Sequence, residues 1–171
     1  MKQVTRGLIF LLLAGTMSAG ASMLQRGTQE ILADGLVHFD SPEGTLVSLR
    51  LGWGIFVSDF IELGVQGGLR RTDDVAAYSL GGFGEYHFDL GTLFVPYVGA
   101  AVSAATVDMD GVGDETAVIL GGSSGFKMYL VDNVALTGRA VLEVATEDIY
   151  ASEKKLKNWD ARLELGLRFY Y

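Results

Sequence analysis

The sequence predicts an all-β fold, an up-and-down antiparallel transmembrane β-barrel of about eight strands. Three observations carry this: a two-residue hydrophobic period past residue 28, a polar face made of Gly, Ser, Arg and Glu, and an export-type N-terminus ahead of both. The length of 171 residues suits one domain, and no shift in composition divides it.

At the N-terminus Lys2 and Arg6 supply positive charge, Leu8 to Ala14 is an apolar run, and Ala19-Gly20-Ala21 offers small residues at the cleavage spacing. This is the pattern of a cleaved signal peptide over residues 1–21, leaving 22–171 as the barrel domain. The apolar run falls well short of the ~20 residues that a spanning helix needs. The chain has no cysteine, which excludes a lipid-anchored cysteine, a disulfide and thiol catalysis. The formal charge is −8, and loss of Lys2 and Arg6 makes it −10; neither value suits nucleic acid as a partner.

A first strand is expected at about 29 to 39, with a weak alternation. The second is clear: Val47, Leu49, Leu51, Trp53 and Ile55 share one face, and Ser48, Arg50, Gly52 and Gly54 the other. In the third, Ile61, Leu63, Val65 and Leu69 oppose Glu62, Gly64, Gln66, Gly68 and Arg70. The fourth sets Tyr78, Leu80, Tyr86 and Phe88 against Ser79, Glu85 and His87. The fifth (93 to 106) and sixth (116 to 130) alternate less cleanly, and in the fifth either Tyr97 or Val98 faces outward. The seventh opposes Val134, Leu136, Ala140, Leu142 and Val144 to Thr137, Arg139 and Glu143. The last is the cleanest, with Trp159, Ala161, Leu163, Leu165, Leu167, Phe169 and Tyr171 against Asp160, Arg162, Glu164, Gly166, Arg168 and Tyr170.

Short turns at 57–59, 89–92 and 131–133 alternate with connections near 40–44, 71–75, 107–115 and 146–158, the rhythm of a meander of hairpins. With a periplasmic N-terminus the second set faces outside, and it carries eleven acidic residues against four basic ones.

Alternation alone fits a soluble lipocalin-like barrel equally well, because the two types only exchange which face is wet. The polar face decides. A water-facing sheet would be rich in lysine, yet Lys154, Lys155 and Lys157 share one loop, Lys2 lies in the signal, and only Lys127 falls in a predicted strand. In hydrocarbon an open edge would leave amide groups unpaired, so a spanning sheet must close. Phe88, Phe94, Tyr129, Phe169 and Tyr171 lie near turns or the C-terminus, as an interfacial aromatic girdle would.

The final octet, Glu164-Leu165-Gly166-Leu167-Arg168-Phe169-Tyr170-Tyr171, resembles the C-terminal recognition signal of outer-membrane barrels, with Glu164, Gly166, Phe169 and Tyr171 at its specified positions. Residues 94–99 and 125–136 also resemble the small OmpA-like and OmpX-like barrels, and the likeness covers roughly residues 28 to 171. It implies an outer-membrane location, insertion by the barrel-assembly machinery, contact with outer-membrane lipid and lipopolysaccharide, and a monomer without cofactors.

The inward set Arg50, Glu62, Arg70, Glu85, His87, Arg139, Glu143, Arg162, Glu164 and Arg168 is expected to form an ion-pair network. Such a network fits the rule that buried charges are paired. About eight strands enclose a bore that side chains fill, which argues against a general diffusion pore. A narrow ion or small-solute channel is the sharper alternative.

An enzyme would need His38 or His87 as its neutral-pH base. His38, Asp74 and Ser79 meet near the outer rim in one strand register, but the His-x-Ser pair of lipid A deacylases is absent. Asp108, Asp110, Asp114 and Glu115 form an acidic loop without EF-hand spacing. The loop from Thr146 to Asn158, with Tyr150, is expected as an exposed tip suited to a partner. The function expected is a non-enzymatic barrel serving envelope integrity or surface interaction, with the channel and a lipid A-modifying enzyme as alternatives.

Overall fold

Apolar and polar side chains alternate along eight long strands, so each strand has one face suited to lipid and one suited to a polar interior, and the sheet curls until its first and last strands meet. The computed structural model describes residues 24–41, 44–71, 75–109, 113–152 and 155–171; the expected signal segment lies outside them. The strands are β1 (Gln29–Ser41), β2 (Gly44–Phe56), β3 (Ile61–Arg71), β4 (Val75–His87), β5 (Phe94–Met109), β6 (Gly113–Val131), β7 (Val134–Ala145), β8 (Tyr150–Ser152), β9 (Lys155–Lys157) and β10 (Trp159–Tyr170). β1 to β7 and β10 form a closed antiparallel barrel in the order β1-β10-β7-β6-β5-β4-β3-β2, and β8-β9 is a separate two-stranded hairpin.

The faces follow the alternation. Leu80 and Leu163 on the outside are 70% and 73% exposed, whereas Lys127 and Arg168 inside are 0% exposed. This inversion of the soluble pattern is what a hydrocarbon surround demands. Trp53, Phe60, Tyr86, Phe88, Phe94, Phe169 and Tyr171 are exposed toward the end with the short turns, while Tyr78 and Trp159 sit toward the long hairpins. At the short-turn end Asp89 Oδ1 accepts from Gly91 N at 2.8 Å, and Gly91 takes a φ of 65° that suits glycine.

The structure decides one orientation that the sequence left open and differs from the sequence expectation at two further points. In β5, Val98 faces out and Tyr97 is buried in the lumen. Tyr129 is not a girdle residue: it shares inward parity with Lys127, and its ring centroid lies 5.2 Å from that of Tyr170. Residues 107–115 are mostly ladder, since β5 and β6 stay paired out to Met109↔Gly113.

Inward glycines accommodate large neighbours. A Cβ on Gly54 would collide with the Glu62 carboxylate, and one on Gly64 with the Phe83 ring. Alternating absent and large side chains lets a narrow bore hold charged groups at close packing. Leu24, Phe56, Val95, Tyr129, Ala135 and Tyr170 then form an apolar cluster at the short-turn end, with Leu93 packed against it.

Candidate functional site

The lumen holds the chemistry of this chain, arranged as three tiers of charge. Nearest the short turns, Lys127 on β6 extends its ammonium to Glu30 Oε2 on β1 (2.6 Å), Glu62 Oε2 on β3 (3.1 Å) and Glu85 Oε2 on β4 (3.2 Å). Phe56, Tyr97 and Tyr170 surround it, with ring centroids 5.3 to 5.9 Å from Nζ. A desolvated cation gains from both the carboxylates and the π faces. His87 lies in the same tier, its Nε2 3.4 Å from Glu85 and 3.7 Å from Glu62.

Glu62, Glu85 and His87 bring potential ligand atoms within 4.8 Å of one another. The Lys127 ammonium stands beside both carboxylates, so the cation that such a group would attract is already supplied by the chain.

In the middle tier Asp34 on β1 takes both Arg168 and Arg50, the former through Nη1 and through Nη2 at 3.2 Å. Arg50 Nη2 reaches on to Glu164 Oε2 at 3.0 Å, and Arg139 Nε meets the same oxygen at 2.8 Å. Arg168 Nε also lies 2.8 Å from Glu30 Oε1, which couples this tier to the one below.

Toward the long hairpins, Arg162 forms a two-pronged pair with Glu143 (2.6 and 2.8 Å), and also meets Asp160 and Glu164 at 3.0 and 2.7 Å. Arg70 reaches Asp160 at 3.3 Å. Tyr150 from β8 folds down onto this tier: its hydroxyl donates to Glu143 Oε2 at 3.0 Å, and Arg70 Cζ lies 5.5 Å from its ring centroid. Its ring packs with Ala117 and Ala145. Tyr150 is therefore buried, a correction to its expected place on an exposed tip, because the β8-β9 hairpin turns it inward. Burial holds its phenol above the ordinary range, and the facing Glu143 carboxylate adds to the effect.

Cavities lie between the tiers. One of about 80 Å³ is bordered by Arg50, Arg70, Tyr150, Arg162 and Glu164; another, about 20 Å³, adjoins Arg50, Arg139 and Glu143. At ~10–15 Å³ per water the larger has room for a handful of waters.

The structure places Glu62, Glu85 and His87 together in the first tier, Arg50, Arg139, Glu164 and Arg168 in the middle one, and Arg70, Glu143 and Arg162 in the third. Glu30, Asp34, Lys127 and Asp160 join them, although sequence reasoning left them out. On β1 the apolar residues fall on both faces, Leu32 inward and Ile31 outward, so the parity of Glu30 and Asp34 is hard to read. Asp160 carried a usable signal in its parity with Arg162, and Lys127 in its parity with Ser123 and Gly125. The His38 side chain, Asp74, Asp110 and the side chains of Asp114 and Glu115 lie outside the described residues, whereas Ser79 faces the lumen near the larger cavity.

No family model and no curated protein matches the sequence. Solved structures do match. Neisserial surface protein A aligns with 21% identity and a TM-score of 0.61, over 84% of this chain and 95% of that one. The N-terminal β-barrel domain of Pseudomonas aeruginosa OprF gives 22% identity and a TM-score of 0.59, over 85% and 98%. The outer membrane protein OprG from the same organism gives 12% and 0.55, over 86% and 97%. The fold is that of the small outer-membrane β-barrels.

Proposed function

We infer that this chain, having the fold of the small outer-membrane barrels, is a non-enzymatic barrel of that membrane which serves envelope integrity or surface interaction. The observation that carries the reading is the opposition of an apolar exterior to a lumen filled by paired charge, with Lys127 and Arg168 fully buried across the bore. An apolar girdle requires a bilayer, and a side-chain-filled bore leaves the surface and the wall as the parts that can act. On this reading the mature chain begins after residue 21 and works as a monomer in contact with lipopolysaccharide. The octet ending in Phe169, Tyr170 and Tyr171 addresses it to the barrel-assembly machinery.

Heat modifiability tests the reading. Outer membranes from cells expressing the full precursor are run on gels unboiled and boiled; the expected result is a band that shifts only on boiling. A soluble periplasmic band without a shift would mean that the two faces were assigned backwards.

The narrow-channel alternative is favoured by the polar cavities around Arg50 and opposed by the Lys127 tier beneath them. Planar bilayers separate the two: the filled-bore reading expects silence, and steps that change in Glu143→Gln would replace it with the channel.

A further inference from the structure

The ladder between β1 and β10 ends partway up the wall. It runs from Glu30↔Tyr170 to Gly35↔Leu165, with mutual backbone bonds between Gln29 and Tyr171 just below. Above that level, among the described residues, β1 continues upward paired only to β2, through Leu36↔Ser48, Val37↔Val47 and His38↔Leu46. β10 continues paired only to β7, from Glu164↔Arg139 to Trp159↔Val144. By contrast β2 and β3 stay paired to Val47↔Arg71 and β4 and β5 to Val75↔Met109, while β6 outruns β7 above Ile119↔Ala145 only where β7 itself has ended. The wall is therefore notched between β1 and β10, with its apex at Gly35 and Leu165.

The notch opens within the apolar belt. Leu163 and Leu165 on its β10 lip are among the most exposed side chains, and Trp159 marks the top of that lip. At ~3.3 Å per residue the lip from Leu165 to Trp159 is about 20 Å long. A strand edge of that length facing hydrocarbon is costly unless something polar meets it.

Behind the notch lies the larger cavity, bordered by Arg50, Arg162 and Glu164. Arg50 Nε is buried beside it without a hydrogen-bond partner among the described residues, and Arg139 Nη2, likewise unpartnered among them and on a side chain only 5% exposed, belongs to the adjoining smaller cavity that Arg50 also borders. Both orphaned groups are N–H donors, so an occupant must bring acceptor oxygens.

We propose that the notch is a lateral portal for a bilayer lipid, whose phosphate- and ester-bearing head enters the lumen beside Arg50 while its chains stay outside along Leu163 and Leu165. The combination of a wall gap at bilayer depth, a polar cavity behind it and unpartnered guanidinium donors matches a molecule that is greasy at one end and rich in acceptors at the other. A peptide strand added to the β1 edge would meet the lips but would bring nothing to the donors in the lumen.

The inference rests on the bilayer-spanning reading, and its test separates the two. The chain has no cysteine, so single cysteines take a bimane label cleanly. Label at Leu36→Cys, inward at the notch, is compared with Ser103→Cys, inward on the opposite wall, and Leu163→Cys, outward. Each is reconstituted in phosphatidylcholine brominated on one acyl chain. The expected result is quenching at position 36 that approaches that at 163 and exceeds that at 103 several-fold. Quenching at 36 no greater than at 103 would overturn the portal, whether the wall is sealed or another chain covers it. An unquenched label at 163 would instead bring down the spanning barrel, and the portal with it. Native mass spectrometry after exposure to phosphatidylethanolamine provides the second arm. Arg50→Lys keeps the charge opposite Asp34 and Glu164 but removes Nε, and should lower the one-lipid adduct several-fold; an undiminished adduct would refute the placement of the head.

Discussion

Lys127 Nζ and Glu30 Oε2 lie 2.6 Å apart although 97 residues separate them in the chain. Their contact spans the lumen from β6 to β1, so it exists only once the barrel has closed. The same ammonium stands beside Glu62 and Glu85, so it serves three carboxylates, of which Glu30 also meets Arg168.

Lys127→Met should therefore be among the most damaging lumenal substitutions. Removing one partner of a buried pair costs about 3–5 kcal/mol. The expected outcome is a clear fall in the temperature at which the unboiled gel band converts. Adding Glu62→Gln should recover part of the loss; a Lys127→Met variant as stable as the parent would contradict the tier described.

Gly166→Ala offers a test of packing at the seam. Its Cβ would strike the Asp34 carboxylate and approach Ala33 O at 2.6 Å, both on the adjoining strand β1. Gly122, outward on β6, has nothing within 4 Å. Refolding yield into detergent micelles, where no assembly machinery acts, should fall for Gly166→Ala and stay unchanged for Gly122→Ala. Equal yields would return the importance of Gly166 to the C-terminal signal alone.

Much of this was legible from period two. The alternation in β2, β3, β4, β7 and β10 placed Arg50, Glu62, Glu85, Arg139 and Arg162 on one face without knowledge of their partners. What remained hidden depends on closure. That Arg50 bridges to Glu164, 114 residues away, follows from strand order and stagger, which alternation does not encode. Tyr129 was misread because proximity to a turn was weighed above parity. Tyr150 was misread because a short hairpin inside a polar loop leaves only a weak pattern.

Tyr150→Ala should loosen the mouth of the barrel. The hydroxyl bond to Glu143, the packing on Ala117 and Ala145, and the Arg70 guanidinium over its face hold this ring down. Limited proteolysis should cut the 146–158 segment several-fold faster in Tyr150→Ala. Tyr150→Phe keeps the packing and should change the rate less; identical rates in all three proteins would mean that the ring does not anchor the loop.

The phenol of Tyr150 is held neutral by burial and by Glu143, so its folded pKa is raised above that of free tyrosine. A raised pKa means that stability from the protonated form is full below the unfolded value, near 10, and is lost as pH climbs through the folded value. The difference in stability between parent and Tyr150→Phe should thus be flat below about pH 10 and shift in favour of Tyr150→Phe in stronger alkali. A difference that varies between pH 6 and 9 would contradict this assignment.

Trp53 Nε1 donates to Tyr171 Oη at 3.0 Å and lies 3.2 Å from Gln29 Oε1, tying β2 to the last residue of the chain across β1. The only other tryptophan, Trp159, lies toward the opposite rim, with Lys157 Nζ 4.4 Å from its ring centroid. The barrel thereby carries two natural fluorophores at different depths. Emission from Trp53 reports on completion of the sheet, emission from Trp159 on the height at which the wall meets water, and replacing either one with phenylalanine isolates the other as a single-colour gauge of insertion.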